Sequence, residues 1–170
     1  MSEVYLIDAN ILITPYEQYY PFDLAQTFWQ QMGTHISNGK IAILDMVRDE
    51  IYKGQDDLSN WLKGLHIAQM VSHKDQGVIV NYSQIIQYLQ NSNLYKEPAM
   101  QEWANGSVAD AWLIAAAMKH GYTLVTFEKP NMGLNAKSPS KKAKLPDVAT
   151  QFNVKTVDLF YIMRQLQIFL

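Results

Sequence analysis

The stretch that decides the fold is Val4-Tyr-Leu-Ile-Asp-Ala-Asn-Ile-Leu-Ile13, a largely apolar run that contains one acid and one amide. Its first four residues favour β structure without polar alternation, which is typical of a strand buried on both faces of a parallel sheet. Asp8 then follows the carboxyl end of that strand, where open α/β sheets bind their ligands. Asp8 and Asn10 are also good turn and helix-capping residues, so this stretch alone leaves their role open.

Further apolar runs predict the rest of the sheet. Ile41–Leu44, residues 122–127 and residues 154–157 each have the length and composition of a buried strand. Residues 24–37 keep a helical spacing of apolar side chains, with Asp23 as the expected N-cap. Strand, helix and strand in this order form a βαβ unit, so the sequence predicts an α/β fold with a largely parallel sheet.

Length and composition limit the class of protein. A chain of 170 residues suits a single domain spanning residues 1–170. It contains no cysteine, so disulfides and thiolate metal sites are excluded, and any metal must take oxygen or imidazole ligands. We expect a cytoplasmic protein without a signal peptide, because the start of the chain has no basic region. No apolar run approaches the roughly 20 residues that a membrane span needs.

Four acids are predicted at the same edge of the sheet. Asp8 and Glu128 follow predicted strands, whereas Glu50 and Asp110 lie in the first two turns of predicted helices. In a right-handed parallel α/β fold, strand ends and helix starts meet at one edge. Carboxylates gathered there repel one another unless a cation lies between them, and oxygen ligands suit Mg²⁺ or Mn²⁺. Such a site hydrolyses phosphodiester bonds.

Several of these polar residues also have a purely structural interpretation. Glu50 could be a solvated helix acid close to Arg48. Ser107-Val-Ala-Asp110 fits a capping box, in which Asp110 would reach back to the amide of Ser107. Asp45 is the predicted cap of a short helix over residues 46–53. None of the four histidines shows metal-ligand spacing, and none is assigned a catalytic role.

The chain resembles the PIN domain, the metal-dependent ribonuclease fold used by VapC-type toxins. The matching motifs are Leu6-Ile7-Asp8-Ala9-Asn10-Ile11-Leu12-Ile13, Val47-Arg48-Asp49-Glu50-Ile51, Ala109-Asp110-Ala111-Trp112-Leu113-Ile114-Ala115 and Thr126-Phe127-Glu128. It is more similar still to a small family of bacterial PIN-like proteins of unknown function, through Tyr19-Tyr20-Pro21-Phe22-Asp23, residues 110–115 and Leu145-Pro146-Asp147-Val148. The resemblance covers nearly the whole chain. It implies a three-layer PIN-like α/β fold, whose central, mostly parallel sheet has four to five strands flanked by helices.

This resemblance also implies roles for individual residues. Asp8, Glu50 and Asp110 would bind Mg²⁺ or Mn²⁺ and carry the catalysis of an endoribonuclease. Asn10 and Thr126 would be hydrogen-bond partners of the metal-binding acids. PIN domains usually carry an aspartate two residues after the threonine, where this chain has the longer Glu128. Asp147 opens a predicted helix at the same edge of the sheet and competes with Glu128 as the fourth acid.

A basic loop and an apolar tail complete the prediction. Residues 129–146, called the lysine loop here, contain five lysines and no acid, and setting them aside changes the net charge from −2 to −7. These lysines could neutralise RNA phosphates without reading sequence, or simply be solvated. They are Lys129, Lys137, Lys141, Lys142 and Lys144. Similar folds commonly form homodimers, and the tail Ile168-Phe169-Leu170 is either a dimer contact or a part of the core.

Three hypotheses remain for the function of this protein. The toxin resemblance implies an RNA substrate and a cognate antitoxin protein that covers the acidic pocket. The alternative is a non-catalytic PIN-like module that binds RNA or a protein. A phosphatase of the haloacid-dehalogenase type is disfavoured, because its acid–base aspartate would stand where this chain has Asn10.

Overall fold

The structure is a computed structural model that describes residues 2–170. Within these residues the chain forms one five-stranded sheet in the order β3-β2-β1-β4-β5, and every strand pair is parallel. The predicted α/β fold is therefore confirmed, with a sheet that is parallel throughout. The strands are β1 Tyr5–Ile7, β2 Ile41–Leu44, β3 Met70–Val71, β4 Thr123–Val125 and β5 Thr156–Val157.

The central strand β1 is the most deeply enclosed part of the sheet. Leu6 pairs with Ala42 of β2 on one side and with Leu124 of β4 on the other. Every residue of these three strands is buried. A parallel sheet produces this pattern because helices cover both of its faces, which explains the unbroken apolar runs in the sequence.

Nine α-helices surround the sheet within residues 2–170. The longest is α5, which packs against α7. The helices are α1 Asn10–Thr14, α2 Gln26–Ser37, α3 Asp45–Lys53, α4 Asp57–Lys63, α5 Gln76–Asn91, α6 Glu97–Ala104, α7 Asp110–His120, α8 Leu145–Gln151 and α9 Leu159–Gln165.

The segment after α1 differs from the prediction. Residues 15–21 read as a loop from their tyrosines and prolines, but Pro15–Tyr19 forms a π-helical turn that continues α1. Pro15 has helical backbone angles, and the N–H of Tyr20 donates to its carbonyl oxygen at 2.7 Å. A proline carbonyl accepts normally although its nitrogen cannot donate, so the helix widens here instead of ending.

Helix α2 begins later than predicted. Its N-cap is Ala25, and the predicted cap Asp23 lies in the preceding turn. The carbonyl oxygen of Pro21 accepts hydrogen bonds from the amides of Leu24 and Ala25. This turn must close before the helix can start, and it leaves the Leu24 side chain 81% exposed.

The C-terminal tail is partly packed. Ile168 is buried, whereas Phe169 and Leu170 are exposed. The side-chain amide of Gln31 donates to the carbonyl oxygen of Phe169 at 2.7 Å and accepts a hydrogen bond from the backbone N–H of Phe169 at 3.0 Å. The tail is therefore attached to α2. None of the helices within residues 2–170 is long and apolar enough to cross a membrane.

Two leucine truncations test this arrangement. Leu6→Ala should lower the free energy of unfolding by about 2–5 kcal/mol, because it leaves a cavity in the central strand. Leu24→Ala should change it by less than about 0.5 kcal/mol, because this side chain is exposed. Urea unfolding of both variants measures the difference. A similar loss of free energy of unfolding in the two variants would show that Leu24 packs on the core as part of α2.

Candidate active site

An acidic cleft opens at the edge of the sheet where the parallel strands end. It has a volume of about 570 Å³ and contains four of the five acids predicted from the sequence. Its floor is formed by the residues after β1 and β4, and its walls by α3 and the segment leading into α7. The lining residues of this acidic cleft are Asp8, Asn10, Met46, Asp49, Glu50, Lys53, His73, Ser107, Val108, Ala109, Asp110 and Glu128.

Backbone pairing fixes the position of Asp8. Its N–H donates to the carbonyl oxygen of Val125 at 3.0 Å, which extends the β1–β4 pairing by one step. The buried Thr126 hydroxyl donates to Oδ2 of Asp8 at 3.3 Å and accepts from the N–H of Glu128 at 3.1 Å. Thr126 therefore holds Asp8 and the chain at Glu128 in a fixed relation.

The two candidates for the fourth acid occupy different places. Glu128 lines the acidic cleft, and its Oε2 accepts from the N–H of Leu145 at the start of α8, at 2.7 Å. Asp147 lies outside the cleft, where its Oδ2 accepts from the N–H of Asn131 at 2.9 Å. Asp147 thus stabilises the lysine loop, while Glu128 shares the cleft with the other acids.

Asp110 enters the cleft from the first position of α7. The predicted capping box is wrong, because Ala109 is the N-cap and the Ser107 hydroxyl donates to Oδ1 of Asn105 at 2.8 Å. The Ser107 N–H donates to the same oxygen at 3.1 Å. The Asn105 side chain therefore binds both the hydroxyl and the N–H of Ser107. The N–H of Ser107 is not available to Asp110, whose carboxyl group lines the cleft.

Burial makes two of these acids resist ionisation. The pKa of Asp8 is raised to about 6, chiefly by removal from water; the Ala9 hydrogen bond opposes this rise, and the charges of Glu128 and Glu50 add to it. Burial raises the pKa of Asp110 to about 7, with repulsion from Asp8 and Glu128 as the next causes. Two half-buried carboxyl groups with raised pKa values in one cleft are typical of functional sites.

The remaining predicted residues lie at the rim. Glu50 is solvent-exposed on α3 and still lines the cleft, and Asn10 is exposed at the start of α1. Arg48 pairs with its neighbour Asp49 at 2.7 Å. The solvated position of Glu50 is therefore compatible with either of its two interpretations, and Lys53 supplies a cation within the cleft.

The donor set suits a hard divalent cation. No three Asp, Glu or His side chains within residues 2–170 approach closely enough to form a ready-made ligand group. Mg²⁺, however, is commonly held by one or two carboxylates, with waters and substrate phosphate oxygens completing its shell. The half-buried carboxyl groups of Asp8 and Asp110, whose pKa values are raised in the cleft, offer oxygen ligands of this kind, so the residues present fit such an ion.

Both ends of the lysine loop lie next to Glu128. Lys129 follows Glu128 in the chain and pairs with Asp158 at 3.7 Å. Lys144 precedes Leu145, whose N–H donates to the carboxylate of Glu128. The other three lysines, Lys137, Lys141 and Lys142, are exposed.

One cleft residue, His73, and its partner Asp45 are missed by the sequence reasoning. Asp45 follows β2 as Asp8 follows β1, but it is predicted only as a helix cap, whereas the N-cap is Leu44. The Asp45 carboxylate accepts from the N–H of Met46 at 2.8 Å and from the backbone N–H of His73 at 3.1 Å, and it contacts Nδ1 of the His73 ring at 2.8 Å. The strand-end position of Asp45 was the available signal. His73 gave none, because the strand that precedes it, β3, is only two residues long.

Replacement of Asp110 tests the electrostatic strain of the site. The native protein binds the Asp110 proton more tightly than the unfolded chain, so its free energy of unfolding falls as pH rises from about 4 to about 7. Asp110→Asn removes this loss and should stabilise the metal-free protein by on the order of 2 kcal/mol at pH 8, with little change at pH 4. Chemical unfolding in EDTA at both pH values measures it.

The matched control is Asp49→Asn, which alters an exposed acid at the rim of the same cleft. We expect its effect to stay within about 0.5 kcal/mol at either pH. Destabilisation by Asp110→Asn at pH 8 would show that the ionised carboxyl group is stabilised by its surroundings, contrary to this description.

Comparison with known proteins identifies the fold and the family. No curated protein matches the chain. Among solved structures it is similar to a crystal structure of VapBC2 from Rickettsia felis bound to a DNA fragment from their promoter. The TM-score is 0.54 at 15% identity, over 91% of this chain and 98% of the other. The fold is therefore PIN-like, and residues 5–170 match the model described as Domain of unknown function (DUF4411), so the chain belongs to the DUF4411 family.

Proposed function

We propose that this protein is a divalent-metal-dependent endoribonuclease that hydrolyses RNA phosphodiester bonds. The observation that carries the proposal is the pair of half-buried acids, Asp8 and Asp110, which share one cleft and both have raised pKa values. Burying two carboxyl groups this way costs stability, and a cation would offset that cost. The PIN-like fold supports the same conclusion.

Each cleft residue has a proposed task. Asp8, Glu50 and Asp110 would hold Mg²⁺ or Mn²⁺, with Glu128 as the fourth acid. When bound, the cation would activate a water molecule and stabilise the negative charge that develops on the phosphate. Thr126 keeps Asp8 oriented through its hydroxyl group. Asn10, which is exposed and lines the same cleft, would be a hydrogen-bond partner of the metal-binding acids.

The lysine loop would bind the RNA backbone. Its ends are tied to Glu128, so the chain carrying the charges starts and finishes beside the proposed site of cleavage. Its midpoint is attached to the segment before α6, since the N–H of Ser140 donates to the carbonyl oxygen of Leu94 at 2.9 Å. Exposed lysines held on such a loop attract phosphates without selecting a sequence.

Two partners belong to the proposal. By analogy with VapC-type toxins, a cognate antitoxin protein would cover the acidic cleft and block the access of RNA. The whole chain would act as one domain, and a homodimer is proposed through the exposed end of the tail, Phe169 and Leu170.

A second candidate function is a non-catalytic PIN-like module that binds RNA or a protein. Two observations favour it. No ready-made group of three metal ligands exists within residues 2–170, and Glu128 already accepts a hydrogen bond from the start of α8. Saturable Mn²⁺ binding separates the two functions, because only the nuclease requires it.

Cleavage of a mixed RNA pool tests the nuclease. We expect cutting with Mn²⁺ or Mg²⁺ that stops in EDTA. Asp8→Asn should slow it by at least about 100-fold, the scale of loss when a group that stabilises transition-state charge is removed. Circular dichroism of the variant establishes that it is folded. A folded wild-type protein that neither cuts RNA nor binds Mn²⁺ would leave the non-catalytic module as the function.

A matched pair of variants decides the fourth acid. Glu128→Gln retains an acceptor for the Leu145 N–H, and Asp147→Asn retains one for the Asn131 N–H, so both should fold. We expect slower cleavage and weaker Mn²⁺ binding only in Glu128→Gln. The reverse result would assign the fourth acid to Asp147.

Salt dependence tests the lysine loop. Replacing Lys137, Lys141 and Lys142 by glutamine should lower the slope of log affinity against log salt for single-stranded RNA by about 2, since each phosphate contact contributes roughly 0.7. Fluorescence anisotropy at several salt concentrations, with Asp8→Asn as the background to prevent cutting, measures the slope. An unchanged slope would show that these lysines are solvated and do not contact RNA phosphates.

A further inference from the structure

The acidic cleft contains one histidine that the proposed metal chemistry does not use. His73 follows β3 and lines the cleft, and its side chain is 28% exposed. Asp45, at the end of β2, holds this residue through both its backbone N–H and its ring Nδ1. The Ser72 hydroxyl donates to the same carboxylate at 3.3 Å. With the N–H of Met46 at 2.8 Å, four groups bind this 16%-exposed carboxylate and make it a rigid support for the ring.

Aromatic packing fixes the ring from another side. The His73 ring meets Trp112 edge-on, with centroids 5.3 Å apart and planes at 77°. Trp112 is in turn stacked on Tyr82 at 3.8 Å and 11°. A ring held by a carboxylate at Nδ1 and by an indole at its edge has one orientation. Its Nε2 atom accepts or donates no hydrogen bond with any residue in the range 2–170 and is left for the cleft.

We propose that His73 is the general acid that protonates the leaving oxygen of the cleaved phosphodiester, with Asp45 as its positioning residue. This inference rests on the proposed nuclease function. A carboxylate at Nδ1 fixes the tautomer of an imidazole and favours its protonated form, which then donates from Nε2. The cleft acids lack a proton to give once they hold a cation, so the leaving group needs a separate donor.

The step balances without a further reactant. The oxygen of a water molecule forms a bond to phosphorus while the bond from phosphorus to the leaving sugar oxygen breaks. The electron pair of that broken bond stays on the sugar oxygen, which takes the proton from Nε2 of His73. The proton lost by the attacking water passes to solvent, and solvent returns a proton to the ring before the next turnover.

Several charged or titratable groups surround His73. Asp45 contacts the ring directly, and Tyr82 lies behind Trp112. The cleft adds one cation and several acids from α3, α7 and the ends of β1 and β4. They are Asp8, Asp49, Glu50, Lys53, Asp110 and Glu128. Because a general acid must be protonated, RNA cleavage should be slower in alkaline solution.

The test compares two substrates that differ in their leaving group. His73→Gln should cut RNA about 100-fold more slowly or worse, because general acid catalysis contributes on that scale. With bis(p-nitrophenyl) phosphate, whose leaving group departs without a proton, the same variant should keep its rate within a few-fold. The alkaline fall of the RNA rate should disappear in the variant. His66→Gln, which changes an exposed histidine outside the cleft, is the matched control and should match wild type throughout.

A second readout needs neither metal nor substrate. In metal-free protein at high pH, ¹⁵N spectra should show the His73 ring protonated at Nδ1 and bare at Nε2, and Asp45→Asn should perturb this state. The opposite tautomer in wild type would overturn the proposal.

The outcomes separate this inference from the function on which it rests. Wild-type RNA cleavage that His73→Gln leaves intact overturns the role of His73 and keeps the nuclease. Equal loss on both substrates together with weaker Mn²⁺ binding makes His73 a metal ligand, which also overturns it. A wild-type protein that cuts neither substrate with either metal removes the function and the inference together.

Discussion

The structure depends on the pairing of β1 with two neighbours. Leu6 is bonded between β2 and β4, and the amide of Asp8 continues the same ladder to the carbonyl oxygen of Val125. In a parallel sheet this register determines where every strand ends. It therefore brings Asp8, Asp45 and Thr126 to one edge, and helices that start there add Glu50 and Asp110.

The acidic cleft opposes the stability that the core provides. Burial and mutual repulsion raise the pKa of Asp8 and Asp110, so the metal-free protein is destabilised by its own site near neutral pH. A fold that maximised stability alone would place apolar or hydrogen-bonded groups at these positions. A retained electrostatic cost of this kind is typical of functional sites.

Helix caps were the least reliable part of the sequence analysis, for a physical reason. Asp158 does cap α9 through the N–H of Tyr161. Asp45 and Ser107 were expected to cap in the same way, but the Asp45 carboxylate is shared between Met46 and His73, and the Ser107 hydroxyl binds Asn105. A short polar side chain has several partners within reach, and the one it selects depends on which chain segment the fold brings alongside. Local spacing contains no information about that neighbour.

The sequence by itself determined the α/β class, the buried strands and the acids that follow them, because continuous apolar runs and their polar ends are local properties of the chain. It also located Asp8, Asp110 and Glu128 at one edge, since a parallel sheet admits no other place for them. Only the tertiary structure decided that Glu128 lies in the cleft and Asp147 outside it. It alone revealed the Asp45–His73 pair, whose members are 28 residues apart. Such contacts are fixed by the order of the strands in space, and this order is set by the packing of the whole chain.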